Sequence, residues 1–158
     1  MKTNSSIIQP GDNRKYVYWI TLFFIVLTGF AQMPIFKRYY IADIPGLGWL
    51  DQFYVTHYLH YVAASVLLAV VFNGAAEYLL KLRKQYRVTI IGWIRSAFLL
   101  GLIVTGSLMV LKNFTGYWFS QNVIIILDIV HIALTVLYIG IASWSSLSGM
   151  KWIILIEK

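Results

Sequence analysis

Residues 53–79 read FYVTHYLHYVAASVLLAVVFNGAAEYL, with no formal charge before Glu77. A run of this kind matches the roughly 20 mostly apolar residues that an α-helix needs to cross a hydrocarbon core. Three more stretches qualify, at about 16–32, 89–111 and 122–144, each bounded by polar or aromatic residues. Helix is expected over strand, because backbone groups in lipid must be hydrogen-bonded within the segment and these runs are too long for barrel strands. The first run is the shortest, and its helix is expected to end by Pro34. The expected fold class is an all-α membrane protein, a bundle of four transmembrane helices.

Composition agrees. The 158 residues are 59% hydrophobic and 12% charged, giving more apolar surface than a soluble domain of that size can bury in one core. No linker, low-complexity tract or internal repeat is evident, so a single domain over residues 1–158 is expected. The net charge of +7 comes from Lys and Arg scattered between apolar runs. They read as topological anchors in a lipid bilayer and not as a nucleic-acid surface. The chain has no cysteine, so it holds no iron–sulfur cluster, covalently attached c-type haem, disulfide or thiolate zinc site of its own. Residues 1–15 are polar and the first apolar run is long enough to remain as a span, so no cleavable signal peptide is expected.

Orientation follows from the cations. Lys2, Arg14, Lys15, Lys81, Arg83, Lys84, Arg87, Arg95, Lys151 and Lys158 fall on one side of the four spans. Only Lys37, Arg38 and Lys112 fall on the other, where Asp43 and Asp51 offset two of them. By the positive-inside rule the N-terminus and C-terminus are both cytoplasmic, and loops 33–52 and 112–121 face outward. Trp49, Tyr54, Tyr58, Tyr117 and Trp118 then cluster at the outer boundary, as amphipathic rings do. Loop 33–52, with its Pro45-Gly46-Leu47-Gly48 turn, is long for a bundle connection and offers a docking surface. The basic stretch from Lys81 to Arg87 reads as a topology anchor against anionic lipid.

All three histidines, His57, His60 and His131, fall within spans, where polar side chains are costly. The second and fourth helices run in the same direction across the membrane. His60 lies eight residues below Gln52 and His131 ten below Gln121. At 1.5 Å per residue their depths differ by about 3 Å. Two neutral imidazoles on facing helices suit the axial positions of a haem iron, and a bis-His iron has no open site, which favours electron transfer. Gly29 after Thr28 and Gly106 after Thr105 fall at a similar depth, and Ala63, Ala64 and Ser65 follow His60, leaving room for a porphyrin. The same residues also fit a haem-free arrangement, with His60 and His131 as polar glue and the glycines as close-packing positions. His57, one turn outward, is a substitute ligand, a neighbour of a haem propionate or docked partner, or a hydrated headgroup histidine.

Short local matches run through all four spans: Trp19 with its aromatic run and Leu27-Thr28-Gly29, Leu59-His60, Val104-Thr105-Gly106, and Ile129-Val130-His131. Over about residues 14–150 the chain resembles the membrane cytochrome b subunits of formate dehydrogenases, nickel–iron hydrogenases and thiosulfate-reductase-like complexes. The resemblance implies that His60 and His131 ligate a haem nearer the outer face. Family members hold a second haem near the cytoplasmic face through a histidine at the start of the first helix and another deeper in the fourth. Here those places read Arg14-Lys15-Tyr16-Val17-Tyr18-Trp19 and Ile141-Ala142-Ser143-Trp144-Ser145, without histidine. One bis-His haem b is therefore expected.

Asn73 and Glu77 are four apart and share a helix face, and Trp93 and Arg95 open the third span at a similar inner depth. They suit either a menaquinone or ubiquinone pocket with a proton-handling Glu77, or a structural Glu77–Arg95 pair. Asp128, one turn outward of His131, is a partner for His57 or a boundary acid.

The expected function is that of a non-catalytic haem b electron-transfer subunit of a respiratory oxidoreductase. It would work in a bacterial or archaeal cytoplasmic membrane, between the quinone pool and an outer-face subunit with iron–sulfur clusters or c-type haems, itself joined to a catalytic subunit. The alternative is a haem-free membrane anchor or assembly subunit. A small transporter or channel is disfavoured, since broken-helix pairs and aligned charged rings are lacking.

Overall fold

The computed structural model of the chain describes residues 12–33 and 35–156, without the side chain of Asp12. Lys2, Pro34 and Lys158, used above for orientation and for the end of the first helix, lie outside the described residues. The fold is mostly helical: α1 (Asp12–Ala31), the single-turn α2 (Ile35–Arg38), α3 (Phe53–Glu77), α4 (Ile90–Leu111) and α5 (Gln121–Leu147). Among the described residues three helices are long and apolar enough to cross a membrane: α3 with its continuation to Leu82, α4 and α5. The fourth, α1, is shorter in its apolar part. Arg14 and Lys15 occupy its first turn, and residues 16–31 reach about 24 Å at 1.5 Å per residue.

The helix boundaries have local causes. Ser120 and Thr89 cap α5 and α4, their hydroxyls accepting from the amides of Val123 and Gly92. Gly149, at φ +65°, ends α5, and the Met150 amide donates to the Ser145 carbonyl at 2.9 Å, closing a Schellman-type cap. Residues Tyr78–Leu82 prolong α3 as a π-helical turn.

One expectation is corrected. The chain is not purely helical: β1 (Tyr86–Val88) pairs antiparallel with β2 (Ile153–Leu155), Tyr86 opposite Leu155 and Val88 opposite Ile153. Three-residue strands offer no alternation to detect, and β1 follows directly on a run of basic residues.

By contacts the chain falls into two compact units, Met1–Glu77 and Tyr78–Lys158. In the first, α1 packs on α3, and the turns Ile41–Asp43 and Gly48–Asp51 of the connecting loop pack on each other, the second also against both helices with Leu50 buried. Lys37 reaches Asp51 at 3.6 Å within that loop. In the second, α4 packs on α5, and the small sheet ties the start of α4 to the segment after α5.

Many of the buried side chains are small or hydroxylated: Thr21, Thr28, Thr56 and Ala63 in the first unit, Thr105, Ala142 and Ser145 in the second, beside a few larger ones such as Leu22, Leu50, Leu99, Leu127 and Tyr138. That is how helices approach each other where no hydrophobic effect drives them together. Large apolar side chains such as Phe23, Phe72, Leu100, Ile126 and Val136 instead point outward, an inside-out distribution suited to a lipid solvent. Tyr54, Tyr58, Tyr117 and Trp118 are exposed near the two connecting loops, Trp118 at 96%, while Trp49 is half-buried.

Candidate functional site

Each unit holds one histidine against a Thr-Gly pair. In the first, Thr28 Oγ1 lies 3.1 Å from His60 Nδ1. A Cβ placed on Gly29 would stand 3.2 Å from His60 Cε1. In the second, Thr105 Oγ1 lies 2.7 Å from His131 Nδ1. A Cβ on Gly106 would stand 3.5 Å from His131 Cε1. The glycines expected to make room for a porphyrin thus seat the imidazole itself against a bare Cα. Thr28 is completely buried and Thr105 nearly so. The arrangement is an internal repeat that a fixed period does not reveal. Thr and His are 32 residues apart in the first unit and 26 in the second, because the first connecting loop is longer while Thr105 and His131 lie deeper in their helices.

The two seats respond differently to a methyl group. In Gly29→Ala the His60 ring must shift, at a cost of about 1–3 kcal/mol if the packing does not relax. In Gly106→Ala the contact with His131 is ordinary van der Waals distance. Ring chemical shifts of His60 are expected to change clearly in the first variant, and those of His131 to change little in the second; equal responses would contradict this seating.

His57 is bound elsewhere in the first unit. Its Nδ1 lies 2.9 Å from Gln32 Oε1, and Gln32 Nε2 donates to the Thr28 carbonyl at 3.4 Å. Phe53 stacks on the ring and Tyr61 tilts against it. Asp128, considered as a partner for His57, is engaged by Lys112 at 3.5 Å in the second unit. Ala63 lines a shallow, open apolar groove with Thr21, Phe24, Leu59 and Val62, and Ser65 turns its hydroxyl to the Tyr61 carbonyl.

The remaining site residues form one cluster in each unit. Asn73 and Glu77 do share a face of α3, and both meet Arg14: Glu77 as an ion pair, Asn73 Oδ1 at 3.4 Å. Arg95 is buried on α4, donates from Nη1 to Ser145 Oγ at 3.2 Å, and lies 4.4 Å from the ring centroid of Trp152. Glu77 thus has a partner in Arg14 within the first unit, and Arg95 has Ser145 and Trp152 within the second. Trp93, two residues from Arg95, is exposed.

Arg14, Gln32, Ser145 and Trp152 are the contributors that sequence reasoning passed over. The charge pattern alone marks Arg14 only as a topological anchor. Its role was within reach: α1 and α3 are antiparallel, Thr28 is level with His60, and Arg14 and Glu77 lie at similar distances along their helices from that level.

Among the described residues no group of three or more His, Cys, Asp or Glu side chains is placed to hold a metal ion. Comparison with protein-family models, with curated proteins and with solved structures returns no match to this chain.

Proposed function

We propose that this chain is a haem b electron-transfer subunit of a membrane oxidoreductase, with His60 and His131 as the axial ligands of one haem. The observation that supports it best is the repeated seat: two histidines, one per hairpin, each packed on a glycine and held at Nδ1 by a threonine hydroxyl. Ligating histidines characteristically bond one ring nitrogen to a fixed partner, which orients the ring and leaves the other for the metal. Two imidazoles suit a cofactor that brings four equatorial nitrogens of its own. When bound, such a group passes single electrons, and two axial imidazoles leave it no open position for substrate.

The proposal includes all four long helices as spans, with both termini in the cytoplasm, in a bacterial or archaeal cytoplasmic membrane. Electrons would pass between the quinone pool and an outer-face partner carrying iron–sulfur clusters or c-type haems, with a catalytic subunit beyond it. The loops flanked by the exposed Tyr54, Tyr117 and Trp118 are the docking faces in this reading. Glu77, paired with Arg14, serves as charge neutralisation in it, and Arg95 holds the C-terminal strand segment through Trp152.

A reduced-minus-oxidised absorbance spectrum of the purified chain tests the proposal. A b-type α-band is expected. Its absence after purification with haem supplied would favour the haem-free anchor, in which the same histidine–threonine contacts only join helices.

A further inference from the structure

We propose that Thr28 and Thr105 fix the tautomer of the imidazoles beside them as Nδ1–H, so that Nε2 is the nitrogen each ring turns to a metal. The last clause rests on the haem reading; the tautomer does not.

A hydroxyl has one proton to give and two lone pairs to receive with. Thr28 Oγ1 stands 2.6 Å from the Phe24 carbonyl oxygen, and Thr105 Oγ1 stands 2.8 Å from that of Gly101. Carbonyl oxygens only accept, so the hydroxyl proton belongs in these short contacts. Placing it toward the imidazole instead would leave two lone-pair-bearing oxygens facing each other at 2.6–2.8 Å. The threonine oxygen therefore meets the ring as an acceptor, at 3.1 Å from His60 Nδ1 and 2.7 Å from His131 Nδ1, and the ring must carry its proton there.

Three features hold the device in place. Threonine is stiff at χ1, and back-bonding to the preceding turn is its habitual helical rotamer. Water has little access to compete for the oxygen, since both threonines are buried. The glycine next in sequence lets the ring come close to the helix, near enough for the bond. Both units show the same set, so the geometry is not an accident of one contact. Thr28 and Thr105 are positioning residues: they act on the histidines and not on the cofactor.

The test uses the full chain, free of haem, in lipid nanodiscs, with ring-15N-labelled histidine and NMR detection of the two ring nitrogens. His131 is expected to show a protonated Nδ1 and an unprotonated Nε2. Thr105→Val keeps the shape but removes the acceptor, and should move His131 toward the opposite tautomer while His60 keeps its own. Thr105→Ser restores an acceptor and should restore Nδ1–H. Helical circular dichroism checks that each variant folds; a Thr105→Val chain that does not fold passes the test to Thr28→Val, read at His60. An Nε2–H tautomer at His131 in the unmodified chain, or an unchanged tautomer in folded Thr105→Val, overturns the proposal. Adding ferric haem to the same samples separates the two ideas. A locked tautomer without haem uptake supports the lock and sinks the haem assignment. Haem uptake with an unlocked tautomer does the reverse.

Discussion

Replacing His131 by Ala is expected to abolish the low-spin b-type spectrum of the purified chain, and His60→Ala to do the same. In the proposed assignment each hairpin supplies one imidazole, so either substitution would leave the iron with a single protein ligand. The loss of haem affinity should reach or exceed the roughly 10–100-fold that removing even an outer hydrogen-bond partner of a ligand costs. His57→Ala is the control. That ring is held by Gln32 and packed on Phe53 and Tyr61, one turn from the threonine–glycine seat, so its loss should leave the band in place. Pyridine haemochrome quantification across the three variants gives the comparison. Retention of a full low-spin band in His131→Ala would remove that residue from the ligand set.

Gly92→Ala is expected to destabilise the second unit more than any other single methyl addition at a glycine. A Cβ at this position would collide with the Trp152 carbonyl, and would lie 2.6 Å from Trp152 Cδ1 and 2.8 Å from Val88 Cγ1. Much of the obstruction is backbone, so it cannot be relieved by a rotamer change. The same carbonyl accepts from the Thr89 amide at 3.0 Å and from its hydroxyl at 3.1 Å. Pushing it away therefore weakens the α4 cap, the β1–β2 pairing and the Trp152 ring over Arg95 together. Overpacking of this kind costs about 1–3 kcal/mol or more. Arg95 sharpens the effect, because its buried Nε has no hydrogen-bond partner among the described residues and the Trp152 ring lies under its guanidinium. Hydrogen exchange at Ile153–Leu155 should accelerate strongly in the variant, with α3 unaffected; native-like protection of β2 would contradict the packing described.

The long helices were legible in the sequence because hydropathy and length are local properties. Expected limits of 89–111 and 122–144 compare with Ile90–Leu111 and Gln121–Leu147. α1 starts earlier than expected, at Asp12, since a helix continues into polar residues that a hydropathy reading leaves outside. The sheet was illegible because its two short strands lie on either side of the whole α4–α5 hairpin, and only their register makes them strands. Histidine and Thr-Gly were each visible as residues worth singling out. Their pairing was not, because it depends on which faces of α1 and α3, or of α4 and α5, meet. For the same reason the ion pair of Arg14 with Glu77 is not visible in the sequence. Nothing in the sequence sets Arg14 apart from the other cations, and only the contact of α1 with α3 brings it to Glu77.

The measurement that bears most directly on the proposed function is near-infrared magnetic circular dichroism of the oxidised chain, taken with the haem-to-protein ratio of the same sample. One haem per chain with the signature of two imidazole ligands is the expected result. No stably bound haem, two haems per chain, or an axial pair other than bis-imidazole would contradict the assignment of His60 and His131.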